Sequence, residues 1–332
     1  MLIRRQDMIT KPTLFILGAG ASIPYGFPSG AALRRQICEA AVGSEPPLAV
    51  ALEKYFNVSY AEFIDFVESF QISRLASIDS FLSRRPEFSR IGKLFIASLL
   101  VPKEDRNVFN LDVEDDWYFS LWNSLVANVN TIKQLKENNV QIYTFNYDRS
   151  LEMYLHSAIV GTFNVSAEEA FEALSHFNIH HVYGSLGLYG TQDDYSTNTR
   201  SYKNHWNLHC IHAAASTLRV IPEARADDTI FNQAKDAFRW AYNVCFLGFG
   251  FDPLNVQRLG FREIISSGHY NSLPYKVIAS TLNKTTSEVD IIHEATIGVK
   301  DFHDRQGHLC VDWDNYSSTN LATLRRFAWL LQ

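Results

Sequence analysis

The chain predicts an α/β fold, a doubly wound parallel sheet with a helical insertion, on three observations. Short apolar runs of strand length, at residues 14–17, 140–145, 244–247 and 276–279, are each followed by a turn and a helical pattern. Two of those turns, Gly18-Ala19-Gly20-Ala21-Ser22 and Gly248-Phe249-Gly250, are built on glycine. More than a hundred mostly helical residues separate the first two strands, which is too many for a simple crossover.

Each element follows from local pattern. Residues 14–17 form a continuous apolar run and read as a fully buried strand. A helix is expected over 29–42, where the chain leaves the glycine turn. Tyr60, Phe63, Ile64, Val67 and Phe70 recur at helical spacing and predict a core-facing helix over 60–72. Residues 77–82 and 88–100 also read as helices. One long amphipathic helix is expected over 114–138, with Trp117, Leu121, Trp122, Leu125, Val129, Ile132 and Leu135 on its apolar face. The second strand is expected at 140–145. Beyond it the rhythm tightens: helix 148–159, strand 179–183, helix 231–242, strand 244–247, helix 254–265, strand 276–279, helix 284–295 and a closing helix over 315–331. The polar stretch between 185 and 203 reads as a mobile loop near the site. The expected organisation is a single domain over 12–332. In it, residues 13–30 with 139–300 form the core, and 31–138 form a mainly helical module.

Bulk composition narrows the function. The 332 residues are 46% hydrophobic, ample for a packed interior, and the net charge of −6 gives no basic excess to suggest nucleic acid as the main partner. No apolar run reaches membrane-spanning length. The N-terminus, with Arg4, Arg5, Asp7 and Lys11, lacks a secretory apolar stretch. Cys38, Cys210, Cys245 and Cys310 are scattered and form no CxxC pair, so neither a zinc ribbon nor a disulfide framework is signalled. A reducing, cytoplasmic compartment is the expectation.

Four segments carry candidate chemistry. In the first glycine turn, missing β-carbons let the backbone approach a pyrophosphate, and N–H groups near a helix start can donate to it. The third glycine of the dinucleotide fingerprint is absent, its place held by Ile23. Arg34 lies close enough in sequence to meet a phosphate. The second segment, Tyr143-Thr144-Phe145-Asn146-Tyr147-Asp148-Arg149, sits where a strand gives way to a helix. The Asn146 amide both donates and accepts, so it can fix a ribose hydroxyl or hold a water. Asp148 reads equally as a helix cap. In the third segment, a strand over 179–183 puts His181 and Tyr183 on one face and His180 on the other. His181 there is a candidate general base, against the plainer reading of a hydrogen-bonded core histidine. The fourth, running from Phe246 to Asn255, is a second strand–glycine–helix junction with Pro253 in the first helical turn. Two such junctions can face one another at a topological switch point and clamp a dinucleotide. His205, His209 and His212 would share one helical face. Without an acid in the H-E-x-x-H position, they read as a polar face or interface before a metal site.

In this order, the segments Gly18-Ala19-Gly20-Ala21-Ser22 with Gly26-Phe27-Pro28-Ser29-Gly30, Thr144-Phe145-Asn146-Tyr147-Asp148, His181-Val182-Tyr183-Gly184 and Phe246-Leu247-Gly248-Phe249-Gly250-Phe251-Asp252 resemble the sirtuin-like superfamily in its bacterial antiphage-defence branch. The resemblance implies a Rossmann-like core carrying a helical module. It implies NAD as the substrate, hydrolysed to nicotinamide and ADP-ribose, and a defence role through NAD depletion. Gly18, Gly20 and Ser22 would hold the pyrophosphate side, with Ala19, Ala21, Phe27 and Pro28 also among the cofactor-binding residues. Gly248, Phe249 and Gly250 would approach the adenosine half, and Asn283 the adenosine ribose. Asn146, His181 and Asp148 would be catalytic. A homo-oligomer, a partner ATPase or a phage-derived trigger would restrain an enzyme otherwise harmful to its host, with no membrane involved.

Two departures stand out. The four-cysteine zinc module of deacylating relatives is missing, so no zinc is expected. Tyr183 occupies the place where those relatives carry the catalytic histidine, although His181 has a counterpart in relatives reading histidine-x-histidine-glycine. The alternatives are a protein deacylase or ADP-ribosyltransferase on the same pocket, and a non-catalytic module binding NAD or ADP-ribose.

Overall fold

Every side chain of Thr13–Leu17 (β1) is buried, as befits a strand covered on both faces. Alternation sorts them: Leu14 and Ile16 enter one core, Phe15 and Leu17 the other. The computed structural model describes residues 8–41, 46–110, 112–220, 229–266, 275–296, 309–313 and 318–327. Around β1 lie Val140–Thr144 (β2), Ile179–His181 (β3), Asn243–Leu247 (β6), Tyr275–Ala279 (β7) and Leu309–Trp313 (β8). They form a six-stranded sheet in the order β3-β2-β1-β6-β7-β8, and every pairing in it is parallel. Leu188–Tyr189 (β4) and Thr199–Arg200 (β5) make a separate two-stranded ribbon.

The order reverses at β1, as in a Rossmann-like sheet. The chain steps outward through β2 and β3, then returns to the other side of β1 at β6. Ligand sites in open parallel sheets form at such a reversal, beyond the carboxyl ends of the strands.

Fourteen α-helices lie within the described residues. Gly30–Glu39 (α1), Pro47–Phe56 (α2), Tyr60–Ser73 (α3), Ile78–Leu82 (α4) and Ser89–Leu100 (α5) bury their apolar stripes on one sheet face. Trp117–Leu125 (α6), Ser150–Phe163 (α7) and Ala167–Leu174 (α8) cover the other. Leu208–Thr217 (α9), Thr229–Trp240 (α10), Pro253–Leu259 (α11), Phe261–Ser266 (α12) and Thr286–Thr296 (α13) return to the first face, and Asn320–Phe327 (α14) adds Leu324 to the second. The described residues of 31–138 are mainly helical, and their helices cover both faces of the sheet. No helix among the described residues is long and apolar enough to cross a membrane.

Several elements differ from expectation. The helix expected over 114–138 stops at Leu125. Asn128 then takes a left-handed conformation, which asparagine tolerates, and Thr131 with Gln134 starts a separate 3-10 segment, Ile132–Glu137. The helix expected over 254–265 divides at Gly260, whose φ is +62°. Helix α2 and strand β8 carry no matching prediction. Of the closing helix, the described part is α14; residues 315–317 and 328–331 lie outside the described residues. The stretch expected as a loop, 185–203, contains the β4–β5 ribbon. It is pinned by Arg200, which is fully buried and ion-paired with Glu104, while Arg149 makes its own ion pair to that same carboxylate.

Candidate functional site

The two glycine turns meet at the switch point. Gly18 N–H donates to Leu247 O (3.1 Å) and Gly20 N–H to Gly248 O (2.9 Å). Gly248 has φ +58°, and a Cβ there would stand 2.0 Å from Ala21 N and 2.2 Å from Gly20 C. Cβ atoms on Gly18 or Gly20 would likewise fall within 2.7 Å of the Gly248–Phe249 backbone. The glycines are therefore needed for one turn to lie against the other. The N–H groups of Gly20, Ala21 and Ser22 donate to Gly248 O, Gly18 O and Ala19 O. Two 3-10 turns, Ala19–Ala21 and Ile23–Tyr25, separate the glycines from α1, whose cap is Ser29.

Distant residues brace this contact. Gly248 N–H donates to Ser280 Oγ (2.8 Å), Ser280 Oγ to Asn320 Oδ1 (2.8 Å), and Asn320 Nδ2 to Gly20 O (3.1 Å). Trp117 Nε1 donates to Ala21 O, and Tyr25 stacks on Tyr118 with centroids 3.7 Å apart. None of Trp117, Tyr118, Ser280 and Asn320 was marked by a sequence motif.

Two cavities flank the first turn. The larger, of about 670 Å³, is floored by Gly20, Gly248, Phe249 and Gly250 and walled by Ser280, Asn283, Lys284, Asn320 and the acids Asp112, Glu114 and Asp115. Its size is within the usual range for small-molecule sites. The smaller, of about 80 Å³, is lined by Ala19, Ser22, Phe27, Pro28, Gly30, Asp79, Asn146, Tyr147 and Asp148. The expected site is thus brought to the two sides of a single turn. Gly18 and Ala21 lie in the turn itself without lining either cavity, and His181 lines neither.

Asn146 is 8% exposed. Its Nδ2 donates to Ser22 Oγ (2.9 Å), while Oδ1 is buried without a hydrogen-bond partner. A buried orphan acceptor costs about 1–3 kcal/mol, so it marks a place where a ligand donor would be welcome. Asp148 Oδ1 accepts from Ser150 N (3.0 Å) and Ser150 Oγ. It therefore takes the first N–H of α7 and lines the small cavity at once. Burial raises its pKa, opposed by the Ser150 and Ser22 donors and helped by Glu152.

His181 sits behind Asn146. Its Nδ1 lies 2.8 Å from Asn146 O and its Nε2 2.6 Å from Glu152 Oε1 on α7. The Asn146 carbonyl accepts from Nδ1–H, and the protonated ring pairs through Nε2 with the Glu152 carboxylate. Burial disfavours that charge, but Glu152, the Asn146 carbonyl and Asp148 outweigh it and raise the pKa. With both nitrogens engaged by protein groups, His181 turns neither towards a cavity. It holds Asn146 in place.

The shared face expected for His181 and Tyr183 is not present. Strand β3 ends at His181, and Gly184 turns the chain with φ +70°. Tyr183 consequently packs on the opposite face with Phe145 and Phe231, its Oη donating to Asn255 Oδ1. Arg34 does not reach the turn; its Nε donates to Leu75 O (2.7 Å). Helix α9 begins at Leu208 with Asn207 as its cap, so His205 falls outside it. Among the described residues no group of three His, Cys, Asp or Glu side chains is placed to hold a metal.

No protein-family model matches the chain, and no curated protein matches it.

Proposed function

We propose that the protein is an NAD glycohydrolase, cleaving NAD to nicotinamide and ADP-ribose. The observation that carries this reading is the orphaned Asn146 Oδ1, buried in the small cavity across the glycine turn from the larger one. A dinucleotide is the ligand that suits two cavities joined over one turn. Its adenosine half fits the larger, beside Gly248, Gly250 and Asn283. Its nicotinamide ribose reaches the smaller, where a hydroxyl donates to Asn146. Loss of nicotinamide develops positive charge on that ribose. The carboxylates of Asp148 and Asp79 line the same cavity and stabilise such charge. The narrow volume limits entry of bulk water. His181 serves by fixing the Asn146 backbone.

Antiphage defence by NAD depletion, with activity restrained by self-assembly, a partner ATPase or a phage-derived trigger, belongs to the same reading and rests on the motif resemblance. A second reading, a non-catalytic NAD or ADP-ribose-binding module, is favoured by one observation: both nitrogens of His181 are engaged. Incubation with NAD separates the two. Release of nicotinamide, lost in Asn146→Ala, supports hydrolysis. Tight NAD binding without product in any oligomeric or partner-bound state supports the module. Turnover unchanged in Asn146→Ala would overturn the mechanism.

A further inference from the structure

We propose that Asp79, supplied by the helical segment, is the general base of the reaction, taking the proton of the water that adds to the ribose. This assignment rests on the NAD-hydrolase reading. It starts from a vacancy in that mechanism: His181, the base expected from sequence, lines neither cavity and has both ring nitrogens engaged, by Asn146 O and Glu152 Oε1.

Two carboxylates line the small cavity, and they are not equivalent. Asp148 is taken up by the start of α7, its Oδ1 accepting from both the backbone and the hydroxyl of Ser150. Asp79 stands in the first turn of α4, within a segment otherwise remote from the glycine turns. Its Oδ1 accepts from Tyr147 Oη, so a carboxylate held in one orientation meets the cavity that also holds the orphaned Asn146 Oδ1. Tyr147 lies between Asn146 and Asp148, and its hydrogen bond ties the loop after β2 to α4. A cavity of about 80 Å³ has room for only a few waters, which suits the delivery of one nucleophile.

The step balances as follows. The water oxygen bonds to ribose C1′ as the C1′–nitrogen bond breaks, its electron pair staying on the nicotinamide nitrogen. The water proton passes to Asp79 and then to solvent. NAD and water become nicotinamide, ADP-ribose and a proton.

The groups facing Asp79 are Tyr147 from the loop after β2, Asp252 at the start of α11, Tyr183 beyond β3, and Asp148 across the cavity. Burial raises the Asp79 pKa, the Tyr147 hydrogen bond opposes this, and Asp252 adds to it. The base becomes active above the ordinary carboxylate range.

The test is the pH dependence of nicotinamide release by the full chain, for wild type, Asp79→Asn and Tyr147→Phe, with NAD binding measured alongside. Asp79→Asn is expected to lower kcat by about 10²–10⁴-fold, to abolish the acid limb, and to keep NAD affinity. Tyr147→Phe removes a donor to the charged form, so the acid limb moves to higher pH. An active wild type with Asp79→Asn near its rate, or with the limb unmoved in Tyr147→Phe, overturns the assignment and leaves the hydrolase reading standing. A wild type that binds NAD and releases no nicotinamide in any oligomeric or partner-bound state overturns the hydrolase reading itself.

Discussion

Gly248→Ala is the sharpest test of the contact between the two turns. At φ +58° an alanine pays about 1–2 kcal/mol for the left-handed conformation. Its Cβ would stand 2.0 Å from Ala21 N and 2.2 Å from Gly20 C, and both neighbours are backbone atoms. No side chain can swing aside, so the turns must part, at about 1–3 kcal/mol for overpacking. Parting them also weakens the Gly20 N–H to Gly248 O hydrogen bond, worth about 1 kcal/mol. The loss is therefore about 3 kcal/mol or more. With an unfolding entropy near 2.1 cal/mol/K per residue, the melting temperature falls by about 4 °C or more. Calorimetry or circular dichroism of the ligand-free protein reads this directly. Gly250→Ala is the control, since a Cβ there meets nothing within 4 Å and should leave the melt unmoved. If Gly248→Ala melts within about 1 °C of wild type, the turns do not pack together and the argument for a shared floor fails.

Other expectations follow from the same geometry. Glu104→Gln strips the carboxylate from two fully buried guanidiniums, Arg149 and Arg200, and should cost about 3–5 kcal/mol in chemical denaturation. Asp236→Asn, which breaks an exposed pair with Arg239, should cost under about 1 kcal/mol; equal losses would refute the distinction. In Glu152→Gln the His181 pKa should fall, because burial remains while the opposing carboxylate is gone. In wild type that pKa is raised, so the ion-pair contribution to stability is complete below about pH 6.5 and is lost as pH rises through the folded-state value. Titration of the ring by NMR decides it, and an unmoved His181 pKa in Glu152→Gln would remove the ion pair from the account. Asn320→Ala deletes the donor to Gly20 O and the acceptor of Ser280 Oγ, and should cost about 1–3 kcal/mol. Weaker NAD binding should accompany it, because Asn320 also lines the larger cavity.

Much of the sheet was legible in the chain because its signals are local. Apolar runs fix β1, β2 and β6 to within a residue or two, with glycine following β1 and β6. The long helix over 114–138 misled because its apolar spacing continues through Asn128 and Thr131, where backbone preference breaks the helix. The site divides in the same way. Glycine turns and the Asn146 loop announce themselves in sequence, and they do come together. Why glycine is needed could not be read there, since the atoms that exclude a Cβ belong to a turn some 230 residues away. Asp79 left no signal either: an acid in the first turn of a helix reads as a partner for the helix dipole. The side of the sheet taken by Tyr183 depended on where β3 stops, which is set by Gly184.

The bond from Asn320 to Gly20 spans 300 positions of the chain. A ribosome adding about 5–20 residues per second needs roughly 15–60 s to travel between them. For that interval the emerging polypeptide holds its first cradle strand without the clasp that closes it. Completion of the pocket thereby waits on the synthesis of Asn320, and fragments that stop short of it lack the fastening.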